Sequence, residues 1–210
     1  MNYSSLKTSI EEFTENDAWG TTTQIDQIIE NAQLRITRET DLNATRKYST
    51  ATMSANAYFL TAPSDMVVIR SIRIQDGDKL MQKDVSFLDD YNPTRTTTGT
   101  PRYYATWDHD TFLVQPAVST STTIELAYTK RLPTLSDSTT TNWLTDNAPD
   151  VLLYACLTQA ATFMKGEQES LQDYEGRYQM ALQGLLGEED LRNRAEEYRS
   201  GALRLGATSK

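Results

Sequence analysis

The chain has 210 residues, 38% of them hydrophobic and 23% charged, and its formal net charge is −9 at pH 7. This composition is typical of a globular protein with a sizeable core, and the acidity argues against a free-standing nucleic-acid binder, which would show a basic surface. Because no apolar run approaches ~20 residues, we expect no membrane span, and the first residues do not predict a secretory signal. A single cysteine, Cys156, excludes an internal disulfide.

The charge is distributed unevenly along the chain. Residues 1–41 carry 3 basic and 8 acidic side chains, residues 42–135 carry 10 and 9, and residues 136–210 carry 7 and 12. Both ends are therefore acidic, while the middle is nearly neutral.

The first 43 residues predict two helices. In the first, Ser4 or Ser5 is the predicted N-cap, and Gly20 closes the unit. In the second, Thr23 and Asp26 resemble a capping box, and the helix is expected to end within residues 39–43. Their apolar faces, read at helical spacing, are Leu6, Ile10 and Phe13 in the first helix and Ile25, Ile28, Ile29, Ala32 and Ile36 in the second.

Residues 44–135 have the composition of short strands, rich in Thr, Tyr, Val and Ile and interrupted by turn residues. Turns at Asp76–Asp78 and Asp108–Asp110 mark two hairpins, and residues 123–130 alternate between apolar and polar side chains. This pattern predicts a small antiparallel sheet or sandwich. Between the strands, Asp89–Pro101 is polar and turn-rich, which predicts an exposed, mobile loop.

The last part of the chain is helical again. Val151–Met164 is apolar on most faces and is predicted to be the buried helix. Asn147 is its predicted cap and Pro149 lies in its first turn, while Trp143 and Leu144 are expected to fix the incoming chain against the bundle.

A further helical pattern follows Gly166, and Gly187 is predicted to end or kink it. The apolar positions of this pattern are Leu171, Tyr174, Tyr178, Ala181, Leu182, Leu185 and Leu186. A shorter pattern and a tail of small residues complete the chain.

Together these elements predict an α+β fold. Residues 1–43 and 136–190 would form a helical bundle, residues 44–135 an inserted antiparallel β domain, and residues 191–210 a carboxy-terminal arm.

Motifs that would indicate an enzyme are missing from the sequence. The one histidine, His109, lies in a predicted turn, and Cys156 lies in the most apolar helix, so neither predicts a catalytic or zinc site. There is no nucleophile-elbow or phosphate-binding motif, and the carboxylate clusters fit solvated helix faces. We therefore expect a protein that is not an enzyme and that has no cofactor or metal.

Two features allow an interaction role. The β region is rich in aromatic residues, which fit a sheet core and subunit packing better than a sugar-binding platform, although the platform stays open as an alternative. In the carboxy-terminal segment, arginines alternate with Leu and Tyr side chains, as in an arm that orders on a partner or in a solvated chain end.

The order of several motifs resembles the head-to-tail adaptor (connector) proteins of tailed bacteriophages, including the tail-tube adaptors of short-tailed phages. The motifs are P-S-D before a strand at residues 63–65, T-G-T-P-x-x-Y-A at residues 98–105, Y-x-x-x-x-P-x-L-S at residues 128–136, and T-N-W-L followed by P-D at residues 141–150. The similarity extends over about residues 5–186.

This resemblance implies a structural virion protein at the head–tail junction, assembled in the host cytoplasm. It implies a homo-oligomeric, dodecameric ring that binds the portal protein and a tail or nozzle protein, contacts genomic DNA transiently and non-specifically, and contacts no membrane. The loop would touch a neighbouring subunit or the tail through Tyr91, Arg95 and Thr98. The arm would dock on the portal through Leu191, Arg194, Tyr198, Arg199, Leu203, Arg204 and Leu205. The alternative is a carbohydrate-binding module of a phage tail.

Overall fold

The computed structural model describes the backbone of residues 1–15 and 22–199 and the side chains of residues 1–15 and 23–194. The described elements define an α+β fold, as predicted, with helices at both ends of the chain and strands in the middle. They are α1 (Tyr3–Thr14), α2 (Thr22–Glu39), β1 (Arg46–Met53), β2 (Phe59–Thr61), β3 (Met66–Ile74), β4 (Met81–Gln82), α3 (Val85–Tyr91), β5 (Thr98–Gly99), β6 (Tyr103–Asp108), β7 (Thr111–Gln115), β8 (Ala117–Val118), β9 (Thr122–Lys130), α4 (Trp143–Asn147), α5 (Pro149–Phe163) and α6 (Gln168–Arg199).

These elements divide into two compact units. Residues 1–43 and the described residues from 132 onward form the first, which we call the helical unit, and residues 44–131 form the second, the β unit. No helix within the described residues is both long and apolar enough to cross a membrane.

The core of the helical unit is built around α5, whose apolar residues lie on nearly every face. The predicted apolar face of α2 is buried against this core, as are Leu6 and Ile10 of α1. Cys156 is fully buried, and burial raises the pKa of its thiol because the thiolate would lose its hydration. Trp143 and Leu144 also pack into this core, as predicted.

The helix starts differ from the predicted caps. Asn2, not Ser4 or Ser5, caps α1, while Ser5 completes the capping box from the third helical position. Thr23 lies inside α2, and Asp26 accepts a hydrogen bond from Tyr3 of α1 instead of closing a capping box. Gly20 lies outside the described residues.

The predicted cap Asn147 is also wrong. The chain forms a separate short helix, α4, whose N-cap is Asn142, and the Asn142 side chain accepts hydrogen bonds from the backbone N–H groups of Leu144 and Thr145. Asn147 ends α4 and donates to the Trp143 carbonyl. Pro149 is the first residue of α5, where its missing N–H costs nothing.

Gly187 neither ends nor interrupts a helix. α6 continues from Gln168 to Arg199, so Leu191–Arg199 belongs to the same helix as the residues that pack in the core. A Cβ built at Gly187 meets no atom within 4 Å. The position is solvated, and glycine is tolerated there because the turns on either side hold the helix.

The β unit contains two main sheets. One is antiparallel with the order β1-β9-β3, and the other has the order β2-β7-β6-β4, in which only β4 and β6 run parallel. A short parallel pair joins β5 to β8. The predicted hairpin at Asp108–Asp110 links β6 to β7, and the buried side chains of β9 are Ile124, Leu126 and Tyr128, as the alternation predicts.

The side chains of β6 and β7 divide between two apolar clusters. Tyr104, Phe112 and Val114 point into the main core of the β unit, with residues of β3 and β9. Ala105 and Leu113 point to the opposite face, where Leu88 of α3 covers them. The second sheet thus makes apolar contacts on both faces, and α3 covers part of its outer face.

Candidate interaction surfaces

The end of α6 is held to the helical unit by a buried carboxylate. Glu189 is 4% exposed, and its Oε2 accepts a hydrogen bond from the backbone N–H of Asn43 at 3.2 Å. Its Oε1 lies 3.2 Å from Nη1 of Arg192. The Asn43 side chain donates to Asn193 at 3.0 Å. These contacts fix α6 beside the residue at which the chain leaves the helical unit.

Beyond this anchor, the predicted docking residues are only partly described. Leu191 is 67% exposed, and Arg194 is exposed and pairs with Asp190 at 2.8 Å on the helix surface. Tyr198 and Arg199 lie on the helical backbone of α6, but their side chains are outside the described part of the structure. Outside the described residues altogether lie Leu203, Arg204 and Leu205.

The predicted loop Asp89–Pro101 has more regular structure than its composition indicates. It begins inside α3 and contains β5, which pairs with β8. Asn92 and Gln115 are buried and joined by a 2.6 Å hydrogen bond, and Gln115 also donates to the carbonyl of Arg95 at 3.2 Å. Most of the segment is exposed, as predicted, and these amide contacts tie part of it to β7.

The three predicted contact residues of this segment do lie at the surface, to different degrees. Tyr91 is exposed at the end of α3, and Thr98 is exposed on β5. Arg95 is half-buried: it pairs with Asp89 at 2.7 Å and lies with its guanidinium 4.6 Å from the ring centroid of Trp107. The guanidinium of Arg95 therefore already makes contacts within the chain.

Aromatic side chains surround the part of the outer sheet face that α3 covers. At one side, the ring centroids of Phe59 and Trp107 lie 5.7 Å apart. At the other side, the Tyr103 ring makes edge-to-face contacts with two rings. Its centroid lies 5.4 Å from that of Phe87 and 5.0 Å from that of Tyr91. Tyr104, Phe112 and Tyr128 are instead buried in the core. The aromatic residues of the β region thus divide between core and partly exposed surface.

Two observations concern possible catalytic or metal-binding groups. His109 is in the hairpin turn with its side chain 91% exposed, 3.7 Å from Asp110. Within residues 1–15 and 22–199, no cluster of three or more His, Cys, Asp or Glu side chains could hold a metal ion.

The structure also shows two grooves that the sequence did not indicate. One lies between the start of α5 and the middle of α6, beside Met180, and the other lies between β3 and β4, beside Met81. Because methionine in an amphipathic pattern is normally assigned to a core, the pattern did not predict that these two side chains lie at the surface. The only available signal is that Met180 falls outside the run of apolar positions predicted for α6.

These features describe a protein of α+β fold with apolar and aromatic side chains exposed on both units. Residues 1–205 match the SU10 adaptor protein family, and the chain belongs to that family. This membership is consistent with a bacteriophage head-to-tail adaptor and confirms the resemblance seen in the sequence motifs. No curated protein matches the sequence.

Proposed function

We propose that this protein is the head-to-tail adaptor of a tailed bacteriophage. Its copies form a dodecameric ring that joins the portal to the tail or nozzle, and genomic DNA leaves the head through the channel of the ring. The observation that carries this proposal is the family match over residues 1–205, nearly the whole chain. The role is structural and not enzymatic, and its place is the head–tail junction of the virion.

The charge of the chain supports a role beside moving DNA. With 29 acidic and 20 basic side chains, the subunit repels phosphates on average. A channel lined by such a surface contacts DNA only transiently, because no strong ion pairs hold the phosphates.

The distal part of α6 supports a portal-docking role. Leu191 is a large apolar side chain in contact with solvent, one turn from Arg194, and arginine beside apolar side chains is typical of interface anchors. The Glu189 and Asn193 contacts hold this part of the helix in place, which lowers the entropy lost on docking.

The experiment is a truncation after Arg194, which removes residues 195–210 and keeps Glu189 and Asn193. We expect a folded subunit that no longer co-sediments with purified portal protein. The double variant Leu191→Ala with Arg194→Ala should weaken portal binding in the full chain. Gln172→Ala with Asp173→Ala, exposed on the same helix, is the matched control and should bind normally.

Portal attachment by the truncated chain would move the docking site elsewhere on the subunit. Failure of the wild-type chain to co-sediment with portal at all would contradict the adaptor function itself.

The segment Asp89–Pro101 is our proposed contact with a neighbouring subunit or the tail. Because Asn92 is buried and bonded to Gln115, replacing the whole segment would also damage the fold. Tyr91→Ala with Thr98→Arg changes only exposed side chains. We expect this variant to fold and to impair ring or tail assembly, and normal particles would reject the contact.

The alternative, a carbohydrate-binding module, would need aromatic faces open to a sugar ring. The Arg95 guanidinium lies over the Trp107 ring, and Tyr103 meets its aromatic neighbours edge to face. These contacts favour packing over a flat platform. Binding to a glycan array with no binding to portal would reverse this preference.

A further inference from the structure

The groove of the helical unit is lined by both apolar and acidic side chains. Its volume is about 280 Å³, and its apolar lining residues include Ala148, Val151, Ala181 and Leu185. Asp150 and Glu188 stand at its edge, and neither carboxylate has an ion-pair partner among the described residues. Met180 lies beside it and is 75% exposed. We call this the acidic groove.

The groove of the β unit has the opposite charge. Its volume is about 480 Å³, and the buried side chains Leu80 and Tyr104 line it. Arg70 and Lys79 are exposed at its edge, and Nε of Arg70 donates to the Thr129 hydroxyl at 3.0 Å. Met81 lies beside it and is 62% exposed. We call this the basic groove.

Each groove therefore presents an exposed methionine beside two like charges. The two surfaces are complementary in charge, because two carboxylates on one match two cations on the other.

The charge of the two units favours the same arrangement. Residues 44–131 carry 10 basic and 9 acidic side chains, so the remaining residues, with 10 basic and 20 acidic, hold nearly all of the excess negative charge. A symmetric contact between two helical units would oppose like charges. A head-to-tail contact between the helical unit of one copy and the β unit of the next avoids this repulsion.

We propose that the acidic groove of one copy binds the basic groove of a second copy, with Asp150 and Glu188 facing Arg70 and Lys79, and that this contact repeats around the ring. The occupant of each groove is another copy of this chain. The inference rests on the ring proposed above and names the surfaces that build it.

Charge reversal tests the contact directly. One variant carries Asp150→Lys and Glu188→Lys, and the other carries Arg70→Glu and Lys79→Glu. Each variant alone opposes like charges at every contact, so we expect its self-association constant, measured by sedimentation velocity at high concentration, to fall at least about tenfold. An equal mixture of the two restores opposite charges at every contact between unlike variants and should regain assembly.

The same measurement is repeated on purified portal protein, where wild-type rings should form even if the free chain associates weakly. Two control variants carry the same charge change at positions that line neither groove: Glu167→Lys with Glu169→Lys, and Arg46→Glu with Arg131→Glu. All four positions are exposed, and these variants should assemble as wild type.

Normal assembly by either groove variant, or no recovery on mixing, would overturn the proposed contact and leave the adaptor function standing. Recovery on mixing in solution, without any binding to portal, would support the contact and contradict the adaptor function. Circular dichroism of each variant checks that the exposed substitutions leave the fold unchanged.

Discussion

Arg35 of α2 binds Glu175 of α6 through two hydrogen bonds, Nη1 to Oε2 at 2.8 Å and Nη2 to Oε1 at 2.6 Å. The same guanidinium contacts Glu39 at 2.9 Å and lies 4.2 Å from the ring centroid of Tyr178. Tyr178 in turn donates its hydroxyl to Glu39 at 2.5 Å. This network joins the end of α2 to the middle of α6.

Glu175→Gln should destabilise the protein by about 1–2 kcal/mol, because the variant loses a charge-assisted pair in a partly buried setting. The matched control is Asp173→Asn, which breaks the more exposed pair between Asp173 and Arg177 on the same helix. That change should cost about 0–0.5 kcal/mol. Urea denaturation of the three proteins measures the difference, and equal losses would show that the network adds nothing.

The effect of Glu175 should depend on pH. Hydrogen bonds from Arg35 lower the pKa of Glu175 in the folded protein, so the unfolded chain binds its proton at a higher pH than the folded chain does. The stabilisation is complete above the ordinary carboxyl pKa of about 4.3 and is lost as the pH falls through the lowered folded value. The gap in unfolding free energy between wild type and Glu175→Gln should therefore shrink between pH 6 and pH 3. A constant gap would contradict this assignment.

Asn142→Ala should destabilise the protein by about 1–2 kcal/mol, since it removes the side chain that caps α4 and the bond from Asn142 to the Pro133 carbonyl. Asn147→Ala, at the position that the sequence pattern favours, loses only an exposed hydrogen bond to Trp143. Its effect should stay below about 0.5 kcal/mol. Thermal unfolding of both variants compares the two caps, and the opposite order would restore Asn147 as the cap.

Gly187→Ala should stabilise the protein by up to about 1 kcal/mol, because alanine is the better helix former and the added Cβ meets open space. Gly166 provides the contrast: a Cβ there would lie 3.3 Å from the carbonyl oxygen of Ala161, so Gly166→Ala should not stabilise. Destabilisation by Gly187→Ala would indicate that α6 is interrupted at this residue. Both values can be read from chemical denaturation.

Cys156 should react with thiol reagents only when the protein unfolds. It is fully buried in α5, and burial raises the pKa of its thiol, so little of the reactive thiolate forms and no reagent reaches it. We expect labelling in native buffer to be far slower than labelling in urea. Gln183→Cys, at an exposed position of α6, should label rapidly in native buffer. Rapid native labelling of wild-type Cys156 would contradict its burial.

Much of the fold could be read from local patterns. The apolar face of α2 and the alternating strand β9 were predicted because each repeats its apolar residues at the period of its own element. The buried helix α5 was predicted because it is apolar on most faces. The hairpin between β6 and β7 followed from its turn residues. These elements depend mainly on residues that are close together in the sequence, so the local sequence pattern is enough to predict them.

Features that depend on distant contacts were missed or predicted wrongly. Asn142, which caps α4, also donates a hydrogen bond to the Pro133 carbonyl. The segment after Tyr91 is held by the hydrogen bond between Asn92 and Gln115, which are 23 residues apart. The composition of a turn-rich segment cannot show that a buried amide pair will hold it.

The sequence alone thus determined the α+β class, the acidity of the chain and the adaptor family, since periodicity, charge and spaced motifs are properties of the chain itself. Only the tertiary structure decided that α6 runs unbroken past Gly187, that Glu189 is buried against Asn43, and that Met180 and Met81 stand exposed beside grooves of opposite charge. The physical reason is that the exposure of a side chain and its ion pairs depend on tertiary contacts, and these contacts join residues that are far apart in the sequence.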